Sequence, residues 1–469
     1  MSRPRLAWFS PLPPVRSGIS AYSADILPRL EPWFTIETFV DVEPSERGRI
    51  LTPLESRAVP GTAGAWSAHA FVSKHALQPY DLIVYQLGNA ACHDYMWPYL
   101  LRYPGLVVLH DAALHHARAA ALLGRGDRNA YRAEFAHAHP GAPVDVAEFA
   151  VAGLSGAPYY LWPLRRIAME AARLVAVHAE PVARQLSTEC PTTGVRTITM
   201  GVPEIGPAPS ASSGPILACF GRVTPEKRIE QVLRAFATVA GRFPSARLVL
   251  VGEVADYFDL GALIANVALQ GRVEVTGYVA DDELSGSIAA ADICVCLRWP
   301  TARETSASWL RCLAAGKPTV MTDLLQTSDV PVLDPRTWAL AHRRTDARSV
   351  DTPPGASEAV AIAIDILDED HSLALALDRL MSDAALRDRL GRRAKRWWHD
   401  HHTLEHMTST YRDVIGEAMQ TAPPPRHADW PPHLLADGQE TLRAILAECS
   451  VESIDRRDSL FLDGRGTAR

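Results

Sequence analysis

Short apolar runs, each closed by a glycine or polar residue, alternate along this chain with longer stretches of helical period. Leu6-Ala-Trp-Phe-Ser10 reads as an opening strand, and Pro11 to Ser20 as the loop after it. A helical pattern then runs from Ala21 to Leu27, where Pro28 is expected to stop it. Asp81–Asn89 and Gly105–Asp111 read as the second and third strands, ending in Gly88-Asn89 and His110-Asp111. The segment from Ala112 to Arg173 is mainly helical in period, with a Gly/Pro-containing region at Gly141–Pro158. Leu174–His178 is a further strand and Val195–Pro203 closes this half. Pro207-Ala-Pro-Ser-Ala-Ser-Ser-Gly214 has no apolar period and reads as a linker.

The alternation restarts beyond that linker. Ile216–Arg222, Arg247–Glu253, Val273–Tyr278, Ile293–Leu297 and Pro318–Asp323 read as strands. Between them lie the helices Ile229–Val239, Asp282–Ala290 and Trp309–Ala315, the last ended by Gly316 with Pro318 beyond. Helices are also predicted over Glu358–Leu367, Leu373–Met381 and Asp383–His399, with Ser357, Ser372 and Ser382 as N-caps, and over Met407–Met419. Arg392–Trp398 is both basic and aromatic. Pro423–Pro432 breaks the pattern, and the tail holds one expected helix, Gln439–Cys449. Strands alternating with helices predict an α/β protein with doubly wound parallel sheets. At 469 residues the chain is too long for one ordinary core, so two domains of about 200 residues each are expected.

Composition narrows the function classes. Apolar residues make up 47% and charged ones 22%, and the net charge of −7 gives no reason to expect nucleic acid as a partner. No apolar run reaches the roughly 18 residues that span a bilayer, and the N-terminal apolar stretch is too short for a signal peptide. Loose attachment to a membrane surface stays open. Seven scattered cysteines without C-x-x-C spacing fit a reducing cytoplasm and suggest neither disulfides nor zinc. His115-His116 and His399-Asp-His-His402 are adjacent histidines pointing to different sides of an element, so packed or solvated roles are expected and no metal site.

The chemistry concentrates at strand ends. Arg298-Trp-Pro-Thr-Ala-Arg-Glu-Thr-Ser-Ala-Ser-Trp309 follows a buried strand with a polar loop holding Glu304, then Thr305, Ser306 and Ser308 at a helix start. Free N–H groups and the helix dipole there favour phosphate, and the carboxylate can accept hydrogen bonds from hydroxyls. That combination suits a sugar nucleotide. Arg222 and Lys227 lie between a strand end and a helix start, where both can aim at one anion. Gly18 permits close backbone approach to a ligand, and His110 is a candidate acid, base or hydrogen-bond donor at the reacting centre. No G-x-G-x-x-G supports a nicotinamide site.

Together, Ser17-Gly18-Ile19-Ser20, Tyr85-Gln-Leu-Gly-Asn89, His110-Asp111, Gly221-Arg222 with Lys227, and Glu304 through Pro318 resemble family 4 of the retaining GT-B glycosyltransferases over about residues 5 to 420. The resemblance implies two Rossmann-like domains facing a cleft: 1–206, a linker at 207–214, and 215–404, with 405–420 crossing back and 421–469 as an accessory tail. It implies a nucleoside-diphosphate sugar as donor substrate, an unknown acceptor and no cofactor, and with no acidic metal cluster visible in the sequence, metal-independent transfer is expected. Arg222, Lys227 and the N–H groups near Thr305 and Ser306 would hold the diphosphate, with Gly18 close by. Glu304 would accept from sugar hydroxyls and His110 would lie near the transferred sugar, with Asn89 and Asp111 as accessories. The family's second glutamate, eight positions after the first, is absent: Cys312 or Arg311 stands there. That departure keeps a second reading open, a non-catalytic GT-B binding or assembly protein. A weaker third is a sugar-nucleotide epimerase.

Overall fold

Why loops from distant parts of the chain meet follows from strand order. The computed structural model describes residues 3–42, 52–207, 214–341, 358–425 and 427–435. Its first sheet is built from β1 (Arg5–Phe9), β2 (Thr35–Val40), β3 (Gly64–Ser67), β4 (Leu82–Leu87), β5 (Leu106–Leu109), β6 (Leu174–Val177) and β7 (Val195–Thr197), in the order β3-β2-β1-β4-β5-β6-β7. The second comprises β8 (Ile216–Phe220), β9 (Arg247–Val251), β10 (Val273–Val275), β11 (Ile293–Cys296), β12 (Thr319–Thr322), β13 (Val332–Leu333) and β14 (Ala361–Ile364), in the order β10-β9-β8-β11-β12-β14-β13. Neighbouring strands pair in parallel in both sheets. The order reverses between β1 and β4 in the first sheet and between β8 and β11 in the second, which turns once more at its β14-β13 edge. Such a switch point opens a crevice beyond the carboxyl ends of its two strands, where nothing covers the sheet.

The inner strands form because they are largely apolar on both faces, as parallel strands under two helical layers must be. β5, β6 and β14 are buried at every residue. Helix Leu404–Gln420 returns to the first sheet, with Met407, Tyr411, Ile415 and Ala418 fully buried at spacings of four, four and three. The Tyr411 ring lies 5.6 Å from that of Trp8 on β1. Each large buried side chain of this kind contributes about 1.5–3 kcal/mol, enough to fix the helix there.

Several elements differ from the sequence reading. Helix Gly18–Leu30 passes through Pro28 instead of ending before it. Proline in the last turn forfeits one hydrogen bond, and buried Ile26, Leu27 and Leu30 outweigh that loss. Strands β2 and β3 precede the expected second strand. Glu358–Leu367 is no helix: Ala361–Ile364 is a strand between β12 and β13. Ser372 is inside helix Glu369–Ser382, donating to the Asp368 carbonyl, and Ser382 is its last residue. The next helix, Ala384–His401, is capped by Asp383, which accepts from the Leu386 N–H at 2.8 Å. Most of the expected linker, the expected cap Ser357 and helix Gln439–Cys449 lie outside the described residues. Among the described residues no helix is long and apolar enough to cross a membrane.

Candidate active site

Four loops leave the two switch points, after β1, β4, β8 and β11, and together with the loop after β5 they line one cleft of about 1620 Å³. Ligand pockets of drug-sized molecules occupy about 300–1,000 Å³, so there is room here for two substrates. Gly18, Asn89, His110, Asp111, Arg222, Lys227, Glu304, Thr305 and Ser306 all line it. Backbone stitches its floor, since the Ala112 N–H after β5 donates to the Ala302 carbonyl after β11 at 2.8 Å.

On the second domain's wall, Gly221 ends β8 at φ +85°, and a Cβ there would lie 2.9 Å from the Lys227 ammonium. Glycine therefore both makes the turn and leaves the lysine its place. The sequence suggests an exposed loop end for Lys227, but the side chain is half-buried and turned inward, its Nζ donating to the Phe220 carbonyl. Burial, and then the nearby Arg298 guanidinium, push its pKa down to about 8. Arg222 is exposed on the same loop. Helix Ala307–Ala314 starts beside them, its N-cap Ser306 accepting from the Trp309 N–H at 3.2 Å. At Gly18, across the cleft, an added Cβ would meet nothing within 4 Å, so the protein's own packing does not demand the glycine.

Glu304 is held on both oxygens. The Arg298 Nε donates to Oε1, and the Thr301 hydroxyl donates to Oε2 at 2.9 Å. Arg298 is a site residue that the sequence reading misses, although it stands at the end of its strand as Arg222 does, and that signal is enough to find it. Asp111 accepts from the Asn89 N–H at 2.8 Å. Burial, then the charge of Glu304, raise its pKa to about 7, against the opposing pull of the Asn89 N–H and Arg298. Two carboxylates and a guanidinium thus face one another where the domains meet. Asn89 is spent on structure: its side chain accepts from the Ala117 N–H at 3.1 Å and its amide nitrogen meets His116 Nδ1 at 3.0 Å. Tyr160 and His116, from the helical segment after β5, also line the cleft, with rings 4.8 Å apart. The sequence reading gives His116 only a packed or solvated role within the His115-His116 pair, and nothing in the pattern marks Tyr160.

His110 is buried, and both its ring nitrogens face protein partners. Nε2 lies 2.8 Å from the Gln86 side chain and Nδ1 lies 3.1 Å from His178 Nε2. His178 Nδ1 faces the Ile198 carbonyl at 2.9 Å and must donate to it. Burial keeps both rings neutral, pushing His110 well below the ordinary range and His178 to about 4. Each neutral ring has one hydrogen to give. Gln86 faces His110 Nε2 with its side-chain oxygen and donates from its amide nitrogen to the Tyr411 hydroxyl at 3.2 Å, which Tyr22 joins at 2.8 Å. His110 is thus held as a positioned neutral ring with no nitrogen free for proton transfer.

Of the two residues at the place of the absent second glutamate, Cys312 is fully buried and Arg311 lines the cleft, paired with Asp281 at 3.1 Å. His115 is packed, bonded to the Trp162 carbonyl and the Tyr131 hydroxyl at 2.5 and 2.7 Å. Among the described residues no three His, Cys, Asp or Glu side chains are grouped to hold a metal ion.

Residues 214–348 match the family model described as glycosyl transferases group 1. Mannosylfructose-phosphate synthase of Agrobacterium fabrum is 30% identical over 118 residues, which are 23% of this chain and 25% of that protein. The match thus spans about a quarter of that relative's length. The structure is similar to sucrose-phosphate synthase from Thermosynechococcus elongatus (TM-score 0.61, 16% identity, 90% of this chain and 100% of that one). It is also similar to HepE of Anabaena in complex with UDP and glucose (TM-score 0.56, 14% identity, 88% and 100%). The chain has the GT-B fold, and its residues 214–348 match the family model described as glycosyl transferases group 1.

Proposed function

We propose that the protein is a retaining glycosyltransferase that moves a sugar from a nucleoside-diphosphate sugar to an acceptor hydroxyl. The observation that carries this reading is the meeting of Arg222, Lys227 and the start of helix Ala307–Ala314 on one wall, opposite Gly18 and beside Glu304. The bond from the anomeric carbon to the diphosphate oxygen breaks, and a bond from that carbon to the acceptor oxygen forms on the same face. The acceptor proton passes to the leaving diphosphate. Two cations and a helix N-terminus meet the charge that develops on the leaving group, without reorganising at the moment of reaction. On this reading they do so without a metal ion. Glu304, oriented by Arg298 and Thr301, accepts from hydroxyls of the sugar, and the neutral His110 shapes the floor beneath it.

UDP-glucose is the first donor to test, because UDP is bound in the Anabaena neighbour. The test is product formation from UDP-glucose, GDP-mannose and ADP-glucose with a panel of hexose phosphates and free sugars, with magnesium and with EDTA. Transfer from one donor, with the anomeric configuration kept and EDTA without effect, is the expected result. Inversion of configuration overturns retention, and loss of activity in EDTA overturns metal independence. Binding of nucleotide with no transfer to any acceptor would favour the assembly-protein reading.

Lys227 makes a second prediction. With its pKa at about 8 in the free protein, about half of the chains lack its charge at that pH. A bound diphosphate favours the charged ammonium, so binding of UDP at pH 8 is expected to take up a proton. Calorimetry in buffers of different ionisation enthalpy measures this uptake. Affinity should fall as pH rises through 8 and the ammonium is lost. Lys227→Ala should remove the uptake and weaken UDP binding by about tenfold or more. Unchanged affinity in that variant would sink the diphosphate assignment.

A further inference from the structure

Helix Ala384–His401 carries Arg392, Lys395, Arg396 and His399 at spacings of three, one and three, which places them on one face. That face lines a second cavity of about 670 Å³, together with Arg29, the segment Val202-Pro203-Glu204, and Thr403-Leu404-Glu405. Four permanent cations face two carboxylates there. Cations on neighbouring turns repel, and their partners hold them weakly. Arg29–Glu405 at 3.1 Å and Lys395–Glu204 at 2.9 Å involve glutamates whose side chains are 74% and 64% exposed. Such exposed pairs contribute little, about 0–1 kcal/mol. Arg396 reaches Glu358 at 2.7 Å, and Arg392 has no acidic partner among the described residues. A ligand bringing several negative charges could therefore take over these cations at small cost. The cavity also has the size of an ordinary small-molecule site.

The cavity sits where the chain crosses between the domains. The Val202 N–H donates to the His402 carbonyl at 3.0 Å, and the Trp398 indole donates to the Val202 carbonyl at 3.2 Å. On the other side of the same turns, Trp397, Asp400, His401 and His402 line the large cleft. The two cavities thus share a wall.

We propose that this hinge cavity is a second anion site, separate from the donor cleft, that takes a soluble, multiply charged phosphate compound. Arginines on one helix face grip phosphate oxygens in pairs, with Lys395 adding a point charge. Because occupant and wall contact both domains, its binding free energy is coupled to nucleotide binding in the cleft, equally in both directions.

The probe is inorganic pyrophosphate, titrated into the full chain by calorimetry. The wild-type chain is expected to show two classes of site. Lys227→Ala should lose one class and keep the other. Arg392→Ala/Lys395→Ala, changes at solvent-facing positions, should keep the cleft site and weaken the hinge site by about tenfold or more. Unaltered thermal unfolding confirms that both variants fold. A single class of site abolished by Lys227→Ala overturns the proposal. A single class abolished by the hinge variant upholds it and counts against the donor cleft instead. Sedimentation with phosphatidylglycerol vesicles separates a lipid headgroup from a free phosphate. Vesicle binding lost in the hinge variant, without pyrophosphate binding, overturns the soluble ligand.

Discussion

Arg298→Leu is expected to lower sugar transfer by about 10²–10³-fold, with a smaller effect on nucleotide affinity. Arg298 donates to Glu304, and its charge also acts on Asp111. Its own pKa is raised: burial works against the charge, and Glu304 followed by Asp111 more than restores it. Without the guanidinium, two carboxylates face one another in a partly buried place and cannot both stay ionised at neutral pH. Asp111, already at about 7, would rise further and take up a proton. Glu304 would lose the partner that sets its orientation, keeping only the Thr301 hydroxyl. Misplacing a group that contacts the transition state costs kcat more than KM, and that split is the measurement. Arg298→Lys retains charge without the planar fork and should recover part of the rate. A wild-type rate in Arg298→Leu would show that Glu304 needs no orientation from this side.

Strand ends are what make the candidate site legible in the sequence. A parallel strand buried on both faces announces itself as an apolar run, and the polar residues just past it must then lie at the sheet's carboxyl edge. Gly18, Asn89, Asp111, Arg222 and Glu304 all follow from that rule, and all line the cleft. What the sequence hides, it hides for physical reasons. β2 reads Thr-Ile-Glu-Thr-Phe-Val, with polar residues at half of its positions, yet all but Thr35 are buried. Its Glu37 is tolerated inside because Lys74 and Arg5 pair with it at 2.9 and 3.1 Å. The run Ala359–Ile364 is apolar at every position, and period alone cannot separate a buried strand from a buried helix. Pairing to β12 and β13 decides it, and pairing is not local. The bonds of His110 are likewise invisible in sequence, since Gln86, His178 and Tyr411 come from three different elements.

Arg118→Met is expected to be the most destabilising of the substitutions considered, by about 3–5 kcal/mol, because it strands a buried carboxylate. Arg118 lies on helix His115–Leu123 with a side chain only 4% exposed. It donates in a fork to Glu134 at 2.9 and 2.5 Å, donates to Asp94 at 2.8 Å, and lies 4.2 Å over the Trp97 ring. Glu134, 2% exposed, also receives a bond from His433 of the C-terminal segment at 2.9 Å. The Arg118–Glu134 pair thus joins four separate pieces of chain behind His116, which faces the cleft. Burial alone would raise the Glu134 pKa, but the bonds from His433 and Arg118 win and it is lowered. In the wild type this carboxylate therefore stabilises the fold above its unfolded pKa, and that contribution is lost as pH falls through its depressed folded value. With Arg118 gone, burial dominates, the folded pKa lies above the unfolded one, and the sign reverses. The variant should regain stability as pH falls from about 7 to about 5, where Glu134 takes up a proton. Thermal unfolding at both pH values measures this, with an expected drop in Tm on the order of 10 °C at neutral pH. Arg118→Met/Glu134→Leu should restore most of the loss, since a buried pair replaced by apolar groups is often neutral. A single variant within about a degree of wild type would mean that His433 alone compensates the Glu134 charge.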